Sequence, residues 1–282
     1  MELGIGSYAL RWAIGIGEVV PDKPATPADL VYAASQHNVR LVQFADNICL
    51  ARVSPASLDA LGTAIQQTGA RIELGTSGLR SETIAPHLEL VGRFDAKLLR
   101  VAPDTEDAET DAGRVVARLR QFVPMLEASG VTLAIENHFH FPSPYLRRII
   151  EDVGSSQVGV CLDVANSIAV GEWPSETISI LAPFAVSLHL KDYRIAVDPH
   201  GVGMRVVGTP LGEGIFDPDT VFDALDKASR EVDVILEHWL PFHTALPQTI
   251  AREKEWLRRS IAFARHLLDA RHRNSKTITG RK

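Results

Sequence analysis

Cysteine is scarce in this chain: only Cys49 and Cys161 occur in 282 residues. Both lie in or beside apolar runs, so a disulfide framework is not expected, and two buried thiols in a reducing compartment are the simpler interpretation. No run approaches the length of about 20 apolar residues that a membrane-spanning helix needs, and the apolar start, residues 1–15, lacks a basic leader. We therefore expect a cytoplasmic protein with no membrane partner.

Positive charge is also in short supply. The chain has 29 Lys and Arg against 35 Asp and Glu, a formal net charge of −6, and its pI is near 5.9. Proteins that bind nucleic acid usually carry a basic patch or stripe that neutralises phosphates. We therefore expect no nucleic-acid partner.

Several ligand-binding motifs are missing. The glycine-rich start, residues 4–17, lacks the GxGxxG spacing that opens a helix after the first strand of a dinucleotide-binding domain. The chain also lacks a P-loop, a CxxC zinc pattern and a GxSxG nucleophile elbow. These absences weigh against a doubly wound open sheet, which is the alternative architecture.

Short apolar runs alternate with longer segments of helical periodicity along the whole chain. Eight runs predict strands: Leu3–Tyr8, Val39–Ala45, Arg71–Gly75, Ala96–Val101, Val131–Glu136, Val158–Asp163, Ala185–His189 and Val232–Glu237. Several lack polar alternation, as parallel strands covered on both faces do. Eight strand–helix units predict an α/β fold, a single-domain (β/α)8 TIM barrel over residues 1–270. The basic, aperiodic end, residues 271–282, is predicted to be a disordered tail.

Four consecutive predicted strands end in side chains that bind metal ions. Glu136, Asp163 and Glu237 are the last residues of their runs, and His189 lies near the end of its own. The carboxyl ends of barrel strands converge over the mouth. A carboxylate after a strand often only caps the next helix, and a lone histidine is often a core residue. Four such residues in succession nevertheless predict a metal site.

The donor set indicates which ion and which chemistry to expect. Oxygen ligands with one imidazole suit Mn²⁺ or Mg²⁺ first and also accept Co²⁺ or Zn²⁺, and no thiolate at a strand end favours zinc. One divalent ion polarises a sugar carbonyl and its neighbouring hydroxyl, which stabilises the enediolate formed when carbon loses a proton. Glu136 and Glu237 are the predicted catalytic base and acid on opposite faces of the substrate.

Seven further residues near the strand ends are candidates for substrate binding. They are Asn166, His138, Lys191, Arg194, Arg205, Trp12 and Trp239. His138 is equally consistent with an ordinary loop histidine, and the tryptophans with aromatic packing in the barrel. The lysine and the two arginines are available to an anionic group.

Five segments resemble the xylose isomerase-like TIM barrel family of sugar isomerases and epimerases: IENH at 135–138, CLDVANS at 161–167, HLKD at 189–192, PLGEG at 210–214 and ILEHW at 235–239. That family also contains keto-sugar lyases, inosose dehydratases and a DNA-repair endonuclease branch. The resemblance implies that Glu136, Asp163, His189 and Glu237 bind the metal and that the two glutamates move protons. It also implies a homo-oligomer.

The chain departs from the family's pattern at two places. Epimerases of the family typically carry D-x-x-H on the sixth strand, whereas this chain has Asn166 three residues after Asp163. An asparagine can hydrogen-bond a hydroxyl or a carbonyl but cannot carry a proton. The family's arginine after the metal histidine has only loose counterparts, Arg194 and Arg205.

The first functional hypothesis is an isomerase or epimerase of a small ketose or keto-polyol, acting through the enediolate in carbohydrate metabolism. The alternative is a lyase that decarboxylates or dehydrates a 3-oxo sugar acid on the same scaffold, because Asn166 replaces the histidine. Either enzyme has a small carbohydrate or keto sugar acid as its partner. The acidic charge disfavours a nuclease of abasic DNA, and the complete metal quartet disfavours a barrel that only binds a ligand.

Overall fold

The barrel predicted from the sequence is confirmed. The structure, a computed structural model, describes the backbone of residues 1–279 and the side chains of residues 1–273. Within these residues the strands are β1 (Leu3–Gly6), β2 (Leu41–Gln43), β3 (Arg71–Ser77), β4 (Leu98–Ala102), β5 (Thr132–Glu136), β6 (Val158–Asp163), β7 (Ala185–Leu190), β8 (Asp192–Val197), β9 (Met204–Thr209) and β10 (Val234–Leu236). Eight of them close into one barrel in the order β1-β10-β7-β6-β5-β4-β3-β2. All their pairings are parallel, and the closure of the sheet through the pairing of β1 with β2 excludes the open sheet.

Apolar runs form the barrel because both of their faces are covered. Every residue of β6 is buried, as is every residue of β2, β4 and β10. Strands β5, β6, β7 and β10 are consecutive neighbours in the barrel. Their carboxyl ends therefore lie along one arc of the mouth.

The helices lie outside the barrel. Within the described residues they are α1 (Arg11–Ile14), α2 (Pro27–Gln36), α3 (Pro55–Thr68), α4 (Ser81–Phe94), α5 (Thr105–Glu109), α6 (Ala112–Ser129), α7 (Ser143–Val153), α8 (Pro174–Leu181), α9 (Pro218–Lys227) and α10 (Leu246–Thr279). Among them, no single helix has the length and apolar character to cross a membrane, although the bent pair Asp46–Arg52 and Pro55–Thr68 meets that test together. Helix α10 continues into the predicted tail as far as Thr279. The end of that tail, 280–282, lies outside the described residues, where disorder stays a prediction.

Strands β8 and β9 form an antiparallel hairpin that the sequence analysis did not predict. Asp192 fixes its base, because Oδ1 accepts the N–H groups of Tyr193 and Phe216, and Oδ2 accepts those of Gly212 and Gly214. A Cβ at position 214 would lie 2.0 Å from Asp192 Oδ1. Glycine is therefore required there for the loop to close around the carboxylate.

Candidate active site

The four predicted metal ligands converge at the mouth of the barrel. His189 Nδ1 lies 3.5 Å from Glu237 Oε2, 3.6 Å from Glu136 Oε2 and 3.7 Å from Asp163 Oδ2. The register brings them together, since Asp163 pairs with His189 across β6 and β7. No more than 3% of any of these four residues is exposed. Three carboxylate oxygens and one ring nitrogen thus face a single buried point.

These donor atoms fit a divalent ion. His189 Nδ1 and Glu237 Oε1 are buried without a hydrogen-bond partner among the described residues, and leaving a buried polar atom unpaired costs about 1–3 kcal/mol. Asp163, His189 and Glu237 each offer a donor atom within 4.8 Å of the others. Carboxylates with one imidazole suit Mn²⁺ or Mg²⁺. A bound ion would satisfy atoms that the protein itself leaves unpaired.

Cys161 lies beside these four predicted ligands, and this contact was not predicted from the sequence. Its Sγ lies within 4.8 Å of donor atoms of Glu136 and His189, so a thiol does lie beside the predicted oxygen and nitrogen ligands. Burial raises the pKa of the Cys161 thiol, which disfavours the thiolate. The sequence held a signal for this position, because Cys161 precedes Asp163 by two residues and alternate residues of a strand share a face.

Hydrogen bonds from the loop after β6 orient Asp163. Its Oδ1 accepts the backbone N–H groups of Ala165 and Asn166, both at 2.8 Å. Asn137 ties this loop to β5, since its Nδ2 donates to the Asp163 carbonyl at 2.8 Å and its Oδ1 accepts the Asp163 N–H at 2.7 Å. Oδ2 is therefore the oxygen that faces His189 and Lys191 and that an ion would contact.

Both carboxylate oxygens of Glu136 are engaged by side chains. Arg100 Nε donates to Oε2, and Asn166 Nδ2 donates to Oε1 at 2.6 Å. Burial opposes ionisation of Glu136, but the positive charges of Arg100 and His189 outweigh it, so the pKa of Glu136 is lowered. Glu136 is thus held as an anion with little freedom to move.

Arg100 belongs to a series of hydrogen-bonded polar side chains that crosses the mouth of the barrel. Its Nη1 lies 2.9 Å from Asp46 Oδ1, and the Tyr8 hydroxyl donates to Asp46 Oδ2 at 2.9 Å. Burial and the Asp46 carboxylate raise the pKa of Tyr8, so its hydroxyl keeps the proton. Arg100 and Tyr8 were absent from the predicted site. The signal for Arg100 is a lone charge inside the apolar run LLRVA of β4.

Lys191 lies against the carboxylates of the predicted metal site. Its Nζ is 2.7 Å from Asp163 Oδ2 and 2.7 Å from Glu237 Oε2, and it lies 5.1 Å from the centre of the Trp239 ring. Burial disfavours the ammonium, but Asp163 and Glu237 outweigh burial and raise the pKa of Lys191. Lys191 is therefore a fixed positive charge within the site.

A cavity of about 180 Å³ opens over these residues. Four of the seven predicted substrate-binding residues line it: His138, Asn166, Lys191 and Trp239. His138 Nδ1 is buried without a hydrogen-bond partner among the described residues. Burial lowers the pKa of His138, so the ring offers neutral polar atoms to a ligand.

The other three predicted substrate-binding residues are not in the lining of this cavity. The Trp12 ring is buried, and its Nε1 donates to the Leu240 carbonyl at 2.9 Å. Arg194 is exposed on β8, and Arg205 on β9 pairs with Asp198 at 3.2 Å. The structure places both arginines on the hairpin, and their binding to substrate stays a prediction.

Fold and site together define the class of protein. The profile of the xylose isomerase-like TIM barrel family matches residues 19–260, so the chain belongs to this family, as its sequence motifs indicated. Its relatives include a 3-oxo-isoapionate decarboxylase of Pectobacterium atrosepticum, which is 27% identical over 263 residues and is matched over 93% of this chain and 94% of its own length.

Two solved structures show the same fold. The D-psicose 3-epimerase of Clostridium cellulolyticum H10, determined with D-tagatose, has a TM-score of 0.71 at 14% identity over 95% of this chain and 99% of its own. A xylose isomerase-like TIM barrel protein of Mycobacterium smegmatis, in complex with magnesium, has a TM-score of 0.65 at 16% identity over 94% of this chain and 97% of its own. At these identities the likeness establishes architecture alone.

Proposed function

We propose that this protein is a divalent-metal-dependent lyase that decarboxylates a 3-oxo sugar acid. The observation that carries the proposal is the engagement of both Glu136 oxygens by Arg100 and Asn166. An epimerase needs a free base and a free acid on opposite faces of the substrate. Decarboxylation needs no such base, because the bond that breaks joins two carbons.

Arg100 is oriented to receive the substrate carboxylate. Its Nε donates to Glu136 and its Nη1 to Asp46, whereas the hydrogen bonds found among the described residues leave Nη2 without a partner. Arg100 lines the cavity, and a guanidinium held in one plane suits carboxylate recognition. Nη2 is the atom that would donate to a substrate oxygen.

The charge around the cavity also favours an acid over a neutral ketose. Its lining carries as many cationic side chains as carboxylates: Arg11, Arg100 and Lys191 against Asp46, Glu136 and Glu237. Asp163 adds one negative charge beside Lys191. A divalent ion would therefore leave the site net positive, which stabilises a bound anion.

Similarity to the decarboxylase of Pectobacterium atrosepticum supports the same reaction class, since the match extends over nearly the whole of both chains. We expect the two enzymes to act on different acids, because at 27% identity the residues that line their cavities can differ. We therefore propose the class, a 3-oxo sugar acid, and not one compound.

The reaction follows from what the residues hold in place. Glu136, Asp163, His189 and Glu237 would bind the ion, which when bound supplies Lewis-acid polarisation of the 3-oxo group. Arg100 holds the carboxylate that leaves. The bond between that carboxylate and the neighbouring carbon breaks, CO₂ departs, and the electron pair forms an enolate with the oxo group. The carbon then takes one proton, drawn from solvent, to give the ketone.

Epimerisation or isomerisation of a ketose is the second candidate. The positions of Glu136 and Glu237 favour it, because their strands, β5 and β10, are separated in the barrel by β6 and β7. Both carboxylates nevertheless approach His189 Nδ1, at 3.6 and 3.5 Å. Two glutamates on different sides of one ion could work on opposite substrate faces if Arg100 released Glu136.

Incubation with Mn²⁺ in D₂O separates the two reactions. With a panel of 3-oxo sugar acids and the matching ketoses, the lyase releases one CO₂ per acid consumed and places one deuterium at the new C–H bond. A reaction without protein corrects for spontaneous loss of CO₂. Deuterium in a recovered ketose, with no enzymatic CO₂ from any acid, would overturn the proposal in favour of the epimerase.

A pair of arginine variants tests the role of Arg100. R100Q should lose turnover of the acid, because it removes the guanidinium that holds the carboxylate. R147Q is the matched control, since Arg147 is exposed on α7 and pairs with Glu151, and it should keep the activity of the wild type. Equal activity of R100Q and R147Q would exclude Arg100 as the carboxylate receptor.

A further inference from the structure

His189 has a second hydrogen-bonding partner on the side away from the carboxylates. Its Nε2 lies 2.7 Å from Gln43 Oε1, and Gln43 Nε2 donates to Glu73 Oε2 at 2.8 Å. Gln43 is the last residue of β2, and Glu73 pairs with it in the register of β2 and β3. Gln43 is fully buried and Glu73 is 5% exposed. The polar row thus lies inside the barrel, where water does not compete.

Glu73, at the outer end of this polar row, fixes the direction of both hydrogen bonds. An ionised carboxylate only accepts hydrogen bonds, so ionised Glu73 holds the Gln43 amide as the structure has it, with its NH₂ group toward Glu73 and its oxygen toward His189. An amide oxygen only accepts as well. Nε2 of His189 must therefore carry the hydrogen, which leaves Nδ1 as the nitrogen whose lone pair can bind an ion.

We infer that Gln43 and Glu73 are positioning residues that hold the His189 ring with Nδ1 toward Glu136, Asp163 and Glu237. The inference rests on the proposed metal site but is independent of the reaction that the site performs. Neither residue touches the cavity, so neither contacts the substrate. Their effect reaches the site only through the tautomer and the orientation of one imidazole.

A purely structural role would have different consequences. Burying a carboxylate and an amide inside the barrel is unfavourable unless each is hydrogen-bonded, and burial raises the pKa of Glu73 to about 7. If the row served packing alone, an isosteric change at Glu73 would leave ion binding untouched. If the row orients His189, the same change lowers ion affinity while the fold is kept.

The experiment compares Mn²⁺ binding by titration calorimetry in four proteins: wild type, E73Q, Q43M and S187A. E73Q keeps the shape but allows the Gln43 amide to turn over, and Q43M removes both hydrogen bonds. Ser187 lies two residues before His189 on β7, and its buried hydroxyl has no hydrogen-bond partner among the described residues, so S187A is the matched control. Loss of such a partner of a metal-binding histidine typically lowers affinity about 10–100-fold. We expect this loss in E73Q and Q43M, and wild-type affinity in S187A.

The outcomes separate this inference from the metal site itself. If the wild type binds no Mn²⁺, the proposed site fails. If the wild type binds and a folded E73Q binds equally well, the positioning role is overturned while the site stands. Histidine labelled with ¹⁵N gives a readout without metal: the Nε2–H tautomer of His189 should dominate in the wild type at alkaline pH and should lose that dominance in E73Q. Identical tautomer populations in the two proteins would also overturn the inference.

Discussion

The ammonium nitrogen of Lys191 lies 2.7 Å from Asp163 Oδ2, an oxygen that also faces His189 Nδ1. It is equally close to Glu237 Oε2. Lysine and a divalent ion thus compete for the same two oxygens. Like charges about 4 Å apart repel by about 1–4 kcal/mol, so the ammonium opposes metal binding while it neutralises the carboxylates.

We therefore expect K191M to bind Mn²⁺ about tenfold more tightly than the wild type, since about 1.4 kcal/mol corresponds to a factor of ten. Decarboxylation should fall in the same variant, because the cavity loses one of its positive charges. Titration calorimetry with Mn²⁺ measures the first effect and CO₂ release the second. K191R keeps the charge and should show wild-type affinity. Weaker Mn²⁺ binding by a folded K191M would contradict the competition.

Asn166 contacts Glu136 directly, so the charge of the side chain at position 166 should matter more than its size. Asn166 Nδ2 donates to Glu136 Oε1 at 2.6 Å. N166A removes one hydrogen bond, whereas N166D also places a second anion beside Glu136. A hydrogen bond to a charged group contributes about 1.5–3 kcal/mol, so kcat/KM should fall about 10–100-fold in N166A, and further in N166D. Steady-state kinetics decide the order, and an N166D enzyme more active than N166A would contradict it.

The convergence of Glu136, Asp163, His189 and Glu237 could be predicted because it obeys a rule of the fold. Once Glu136, Asp163 and Glu237 are recognised as the ends of apolar runs, parallel barrel topology alone brings them together. Position along the strand is enough, and no knowledge of side-chain contacts is required. The eight barrel strands were predictable for the same reason, since buried parallel strands are continuous apolar runs.

The partners of those ligands were not predictable in the same way. Gln43, Glu73 and Arg100 lie inside the strands, and whether they face the barrel interior or the helices depends on a register that sequence leaves open. Each is a polar residue with an apolar neighbour on either side, which signals a buried contact but not its partner. The hairpin of β8 and β9 was missed because its alternating residues lie between two expected barrel strands and resemble a long loop.

Glu253 should give the protein a pH-dependent stability. Its Oε1 accepts the Trp12 N–H at 2.8 Å and its Oε2 the Ala13 N–H at 3.0 Å, yet burial is the larger effect and raises the pKa of Glu253 from 4.5 to about 7. Between these values the folded protein binds a proton that the unfolded chain does not. The free energy of unfolding should therefore fall as pH rises through this window, by on the order of 3 kcal/mol.

The E253Q variant lacks this titration, so its free energy of unfolding should depend less on pH than that of the wild type. Urea denaturation between about pH 4.5 and pH 8 measures the difference. E255Q is the control, because Glu255 lies on the same helix but is exposed. Parallel pH profiles for wild type and E253Q would show that Glu253 ionises normally in the folded protein.

Asp192 should control the hairpin of β8 and β9 without controlling the barrel. Its carboxylate accepts four backbone N–H groups, at distances from 2.7 to 3.1 Å. An asparagine offers one acceptor oxygen and turns an NH₂ group toward the remaining N–H groups. D192N should therefore loosen the loop that contains Gly212 and Gly214, and G214A should do the same because its Cβ would lie 2.0 Å from Asp192 Oδ1.

Hydrogen exchange distinguishes local loosening of this loop from destabilisation of the whole barrel. Amides of residues 212–216 should exchange at least about tenfold faster in D192N, because each lost hydrogen bond to a charged group costs about 1.5–3 kcal/mol. Amides of β5 and β6 should keep wild-type rates. D198N is the control, since Asp198 lies at the turn of the hairpin and pairs with Arg205. Uniformly faster exchange throughout D192N would instead mean that Asp192 stabilises the whole barrel. In that case the hydrogen bonds that it accepts would break only when the barrel unfolds.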